Sequence, residues 1–567
     1  MRANRQHVVS WRRAGWTKPI VLLAVLLAAS MVWVWRTRTP SFPVKCVVVG
    51  LDGLDPKLMK RFMDQGLLPN LKKLIEEGDF RPLATSNPPQ SPVAWSCFAT
   101  GMDPGGTAIF DFVHRDPADY APMESMSTAK EPEPYRLFGI EFGPFVEVGD
   151  YRLPIRGGGP QLNRQGTPFW KYLEDADVPT TILRLPANYP PPEGKARQLA
   201  GMGTPDILGT EGSYYFWSDR KLTRSETSGS GTVSRIHFLD ERAKAKLYGP
   251  DNALLRSKRA REKPMEIEFE ITLDRANKSV RIDLMDQTAI LRPGDWSDWL
   301  TVRFVGIKDY LPGNIDGMLR FHLGAIEPNV ELYATAIQFD PASPAQPITN
   351  PPEYAKELAD NVGRIYTLGM PEDNKAFSSR AKALSAEAFR QQCRQVLDDV
   401  WATTEYELDR YRGGLFFTYF RTTDVVSHMM WYMMDSEHVM HDEDAAKLHG
   451  TAIQQAYQWV DEKVGEIRAR IGDDVLFIVM SDHGFAPFYR EFRLSTWLLD
   501  NGWTTLYPWS EADTAHIMDD VNWEETRAYA VGLNGLYVNL EGRESRGAVP
   551  TEEYDAMVDE LCKALEG

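Results

Sequence analysis

Three stretches of the sequence place a carboxylate directly after an apolar run: Asp52 in VVVGLDG, Asp424 in YFRTTDVVSH and Asp482 in FIVMSDHG. Two of them bring an imidazole, His428 four residues after Asp424 and His483 beside Asp482. If the chain turns helical at Asp424, that spacing puts both side chains on one face, within reach of one cation. Adjacent Asp482 and His483 need a loop, and Gly484 gives the backbone that freedom. Singly, each pair reads as a turn aspartate with a surface histidine. Occurring together, they point to a cation site of nitrogen and oxygen ligands.

A candidate nucleophile lies in NPPQSPVAWSCFATG, Asn87 to Gly101. Pro92 lacks a backbone N–H and presets helical φ, which predicts a helix starting there with Ser91 as its N-cap. A helix N-terminus gathers an anion such as phosphate, and a hydroxyl placed there can attack it.

The elements that must position these residues follow from periodicity. VKCVVVGLDG reads as a fully buried strand, and DPKLMKRFMDQGLLPNLKKLIEEG as two short amphipathic helices broken at Gly66 and Pro69 and ended at Gly78. A long helix is expected to open at Ser385, and GLFFTYFRTTD is expected to be a buried strand ending at Asp424. A further helix has Ile453, Ala456, Tyr457, Val460, Val464 and Ile467 on one face and leads into the strand before Asp482. Helices alternating with buried strands predict an α/β core with a mostly parallel sheet, in which ligands gather beyond the carboxyl ends of the strands. From 143 to 350 the texture changes to Gly- and Pro-rich loops and to strand-like alternation in MEIEFEITL, SVRIDLM and WLTVRFVG, read as an inserted β-rich module.

GLDG, LPNLKKLIEEG, PPQSPVAWSCFATGMDPGG, DVVSH and SDHGF, in this order across about residues 44 to 490, resemble the alkaline phosphatase superfamily, and most closely its type I phosphodiesterase and nucleotide pyrophosphatase branch. The resemblance implies an alkaline phosphatase-like three-layer sandwich and a metal-dependent phosphoric ester hydrolase. It implies two divalent ions, zinc first and Mn2+ or Mg2+ as alternatives: Asp52, Ser91, Asp482 and His483 would hold one, and Asp424 and His428 the other. Ser91 matches the position of the branch's nucleophile, which implies a phosphoseryl intermediate; substrates would be small phosphate esters, lipids or nucleotides. A membrane-anchored phosphotransferase of the same superfamily and a catalytically impaired metal-binding relative are the alternatives. A sulfatase would need x-P-x-R after its nucleophile, which SPVAWS lacks.

The chain departs from the branch in two places. Relatives often carry His-Gly at Thr107 and Ala108, and after His483 only His516, in a polar context, remains as a candidate for the second ion's further histidine. The sequence is therefore expected to be cut short at its C-terminus. His438, His441 and His449 sit among acidic neighbours and read as solvated surface, and HMMWYMMD reads as core packing.

Length and composition bound the rest. With 567 residues, 43% of them hydrophobic, the chain is long enough for a large core with an insertion. Residues 1–18 form a basic tail, expected in the cytoplasm, and 19–35 are an apolar run of 17 residues expected to be a signal anchor, or a signal peptide cleaved near Ala28-Ala29-Ser30. A linker over 36–43 leads into core segments 44–142 and 351–567, placed outside the cytoplasm, periplasmic or extracellular. All 80 acidic residues lie beyond residue 45 against 55 basic ones, a balance of −25 that argues against nucleic-acid binding. A phosphate substrate then needs metal ions to supply positive charge. Cysteines at 46, 97, 393 and 562 form no disulfide framework, and Cys97 is expected to be a small core residue. Oligomeric state has no signal in the sequence.

Overall fold

The structure, a computed structural model, describes residues 44–137, 140–155, 157–306, 313–510, 516 and 519–566. The basic tail, apolar run and linker expected over 1–43 lie outside the described residues. Among the described residues no helix is long and apolar enough to cross a membrane.

The apolar, β-branched run KCVVVGL forms strand β1 (Lys45–Leu51). Successive side chains alternate, so Val47, Val49 and Leu51 enter one core and Val48 the other. At Gly50 a Cβ would stand 2.6 Å from the Trp95 ring, so only glycine lets this strand and the helix that carries Trp95 approach so closely. Two short helices follow, α1 (Pro56–Asp64) and α2 (Pro69–Glu77), and then α3 (Ser91–Thr100). Strands β2 (Thr180–Leu183), β3 (Arg197–Leu199) and β4 (Thr349–Asn350) come next. Helix α4 (Ala386–Leu408) leads into β5 (Gly414–Phe420), α5 (Thr422–Met434), α6 (Ala452–Arg470) and β6 (Leu476–Met480). Ser385 caps α4 as expected, accepting from Ala388 N at 3.1 Å.

These strands make one six-stranded sheet in the order β4-β3-β2-β5-β1-β6, parallel except for β4 against β3. Helices cover both faces. Phe416 and Phe420 of β5 join Val47, Val49, α1, α2, α4, α5 and α6 in the larger core. Leu415, Phe417 and Tyr419 face Trp95 and Ala99 of α3. Met430 and Met433 are buried in the larger core, as their Met-rich run predicts.

Three expectations are corrected. The stretch 143–350 is not wholly an insertion, because β2, β3 and β4 belong to the central sheet. At two to four residues each, they are too short to show a period amid Gly- and Pro-rich neighbours. The β-rich part proper includes the antiparallel meander Arg242–Asp251, Pro264–Asp274, Ser279–Leu284 and Gln287–Leu291. Asp424 does not end a strand: β5 stops at Phe420, and Asp424 lies in the first turn of α5. Cys97 is half-buried rather than core.

Candidate metal and nucleophile site

Beyond the carboxyl ends of β1, β5 and β6, the chain turns sharply and delivers its acidic groups to one place. Asp52 follows β1 and is held by its own backbone, which donates from N to Phe420 O at 2.9 Å. The Thr423 hydroxyl donates to the Asp52 carbonyl, and the Tyr419 hydroxyl donates to Asp52 Oδ2. Gly53 then takes φ +59°, and its N–H donates to Asp482 Oδ1 at 3.2 Å. One turn thus joins the loop after β1 to the loop after β6.

Ser91 is buried, with Oγ donating to Asp52 Oδ1 at 3.1 Å and lying 3.2 Å from His483 Nε2. His483 Nε2 in turn stands 3.4 Å from Asp52 Oδ1 and 3.5 Å from Asp482 Oδ2. Asp424 and His428 do share a face of α5, with Nε2 3.3 Å from Oδ1. Asp52, Asp424 and His483 each bring a ligand atom within 4.8 Å of the others. That group crosses the division of ligands that the resemblance implies. His428 stands at the rim, its side chain 58% exposed against 6% for that of Asp424.

The expected cap is wrong in detail. Gln90 is the N-cap of α3 and Ser91 its first helical residue, so the serine hydroxyl serves Asp52 and His483 and makes no capping hydrogen bond.

Burial and mutual repulsion set the charge state of the cluster. Burial, then repulsion from Asp482 and Asp424, holds the Asp52 carboxyl well above the usual carboxylate range, against the opposing Tyr419 hydrogen bond and Arg421. Burial likewise raises Asp482, with Asp424 adding to the effect and His483 opposing it. Burial also pushes Asp424 up, but His428, Arg421 and His483 outweigh it and hold this carboxyl low. Asp424 Oδ1 and Asp482 Oδ2 are buried without a hydrogen-bond partner, the former close to His428 but not aligned with it. Orphaned carboxylate oxygens beside imidazole nitrogens form a donor set that fits a divalent ion.

Several supporting residues escaped the sequence reading. Asp55 caps α1, accepting from Lys57 N and Leu58 N at 2.9 Å, and its other oxygen accepts from Phe485 N at 3.3 Å, which ties the loop after β6 to that helix. Its signal was an Asp-Pro at a helix start. Ser481 bridges the same loops, accepting from Leu54 N at 2.9 Å and donating to His483 O at 2.7 Å. Arg421 pairs with buried Glu372 at 2.7 Å, a partner 49 residues away that no local pattern announces. His438, His441 and His449 are half-buried and outside this cluster; His441 Nδ1 bonds Tyr432 O at 2.8 Å. His516 is exposed and pairs with Asp519 at 3.9 Å.

A buried hydroxyl among carboxylates and imidazoles, on the carboxyl edge of a mostly parallel sheet, is an arrangement that could hold a divalent ion beside a candidate nucleophile. A family model described as type I phosphodiesterase / nucleotide pyrophosphatase matches residues 46–255 and 329–567. The chain belongs to that family, a metal-dependent class of phosphoric ester hydrolases. No curated protein and no solved structure matches the chain.

Proposed function

We infer that the chain hydrolyses phosphoric esters outside the cytoplasm through a phosphoseryl intermediate on Ser91. The observation that carries this reading is the position of Ser91 Oγ, at the N-terminus of α3 and 3.1 Å from Asp52 and 3.2 Å from His483. Asp52, Ser91, Asp482 and His483 would hold one divalent ion and Asp424 with His428 a second, zinc being the first choice for such ligands. Bound there, the ions would supply Lewis acidity toward phosphoryl oxygens and make the serine hydroxyl easier to deprotonate.

The chain's own residues do the rest. Asp52 Oδ1 accepts the Ser91 hydroxyl hydrogen bond, which fixes the orientation of the O–H before substrate arrives. Tyr419 and Thr423 fix the Asp52 carboxylate and carbonyl, and Gly53 N fixes Asp482, so the acceptors are positioned before substrate arrives. The apolar run over 19–35 supports a membrane-anchored, extracytoplasmic site, and the family supports phosphate esters or nucleotides as the substrate class.

The test is hydrolysis of aryl phosphate monoesters and diesters by the full chain, with metal content measured in parallel, beside Ser91→Ala. Turnover lost by at least about a thousandfold with metal retained is expected, as for removal of a nucleophile. A Ser91→Ala protein that hydrolyses at the parent rate rejects the assignment.

A further inference from the structure

Gln90, the residue before Ser91, carries a buried donor that the fold does not use. It is 8% exposed, and its Oε1 accepts from Phe112 N at 3.2 Å. A backbone N–H can bond only the oxygen of a carboxamide, so the Phe112 contact fixes which end is which. The remaining end, Nε2, is buried and has no hydrogen-bond partner. Leaving such a group unpaired is costly, and that cost disappears when a ligand supplies an acceptor.

The helix end adds a second donor. Val93 N and Ala94 N both return to Gln90 O, at 3.0 and 2.9 Å, and Pro92 has no N–H. That leaves the N–H of Ser91 as the terminal donor of α3, with no hydrogen bond to a protein acceptor among the described residues. Gln90 directly precedes Ser91, so both unused donors belong to the two residues that open α3, one of them the candidate nucleophile. Three carboxylates crowd this centre, and a phosphate entering it needs neutral donors on the side away from them.

We propose that Gln90 Nε2 and the Ser91 N–H together bind a non-bridging oxygen of the substrate's phosphoryl group. This rests on the reading of Ser91 as the nucleophile. Gln90 thereby becomes a substrate-binding residue, and the ligand class is a tetrahedral phosphoryl or phosphate group.

Gln90→Glu is the decisive variant, because it keeps an oxygen for Phe112 N and replaces the free donor with an acceptor of the same shape. In the full metal-loaded chain, inorganic phosphate as inhibitor and an aryl phosphate ester as substrate are the probes, with metal content and Tm measured beside them. With metal content and Tm unchanged, the phosphate inhibition constant is expected to rise about tenfold or more and kcat/KM to fall about a hundredfold, the scale of losing one oxyanion donor. Should Gln90→Glu not fold, Gln90→Met, uncharged and similar in length, carries the same expectation. Parent-like phosphate inhibition and kcat/KM in a folded variant overturn the proposal while leaving Ser91 as nucleophile. A parent protein neither active nor inhibited by phosphate overturns the reading of Ser91 and this proposal together.

Discussion

Tyr419 donates its hydroxyl to Asp52 Oδ2 from the strand beside β1, with Leu51 and Phe420 in register next to them. The ring lies edge-on to Trp95 at 5.5 Å, so one side chain links the core under α3 to the carboxylate that accepts from Ser91. Removing only the hydroxyl keeps the packing and strips Asp52 of one buried donor. Tyr419→Phe is expected to lower stability by about 1.5–3 kcal/mol, the range for a hydrogen bond to a charged group, and to lower kcat/KM without displacing the ring. Urea unfolding and steady-state kinetics check it, and parent-like values in both would mean that the hydroxyl does not hold Asp52 in solution.

Gly53 is where the site depends on the absence of a side chain. Its φ of +59° is left-handed, and a Cβ would meet the Asp424 Cβ and Oδ1 at 3.0 Å. Gly53→Ala is expected to lose about 1–2 kcal/mol from backbone strain alone and to push Asp424 from its place. Metal content by elemental analysis should fall together with Tm; a variant that melts lower but holds metal as before would separate the turn from the ligand.

The site was legible in the sequence to the extent that its chemistry sits at strand ends. Asp52, Asp482 and His483 follow apolar runs, and the four-residue spacing of Asp424 and His428 survives the shift of Asp424 from strand end to helix start. The capping rule misplaced Ser91 by one position because proline is accommodated throughout the first turn, so Pro92 alone does not decide whether the helix opens at 91 or 92. Tyr419 looked like one more apolar residue of β5, since only the register with β1 reveals what its hydroxyl meets. Strands β2 and β3 were invisible for a related reason: neighbours supplied by β5 and β4, not their own period, make them strands.

Removing divalent ions should reverse the sign of a mutation. Asp52 is raised by burial and by repulsion from Asp482 and Asp424, so its charge costs stability when no cation faces it. The folded form keeps the Asp52 proton to higher pH than the unfolded form, so this contribution to stability falls as pH climbs above the ordinary carboxylate range. Asp52→Asn is therefore expected to melt above the parent at pH 8 in excess chelator and below it with ions present. Ions at a hundred times their Kd add about 2.7 kcal/mol to the parent. Calorimetry of both proteins with and without ions decides it, and one order of melting in both conditions would exclude a cation at Asp52.

His322 sets an acid limit far from the site. It lies in the strand Phe321–Ala325, 4% exposed, stacked on Trp296 at 4.7 Å with Nδ1 3.0 Å from Asp295 O. Burial lowers its pKa to about 4, against the opposing pull of Asp295. The unfolded chain takes up the proton below about 6.5 and the folded one does not until about 4, so stability is lost as pH falls through that window and the loss levels off below it. The whole window is worth on the order of 3 kcal/mol. His322→Asn keeps a donor for Asp295 O but cannot titrate, and between pH 7.5 and 4.5, most of that window, it is expected to lose about 2.5 kcal/mol less than the parent in urea unfolding. Equal losses in the two proteins would show that His322 charges normally inside the fold.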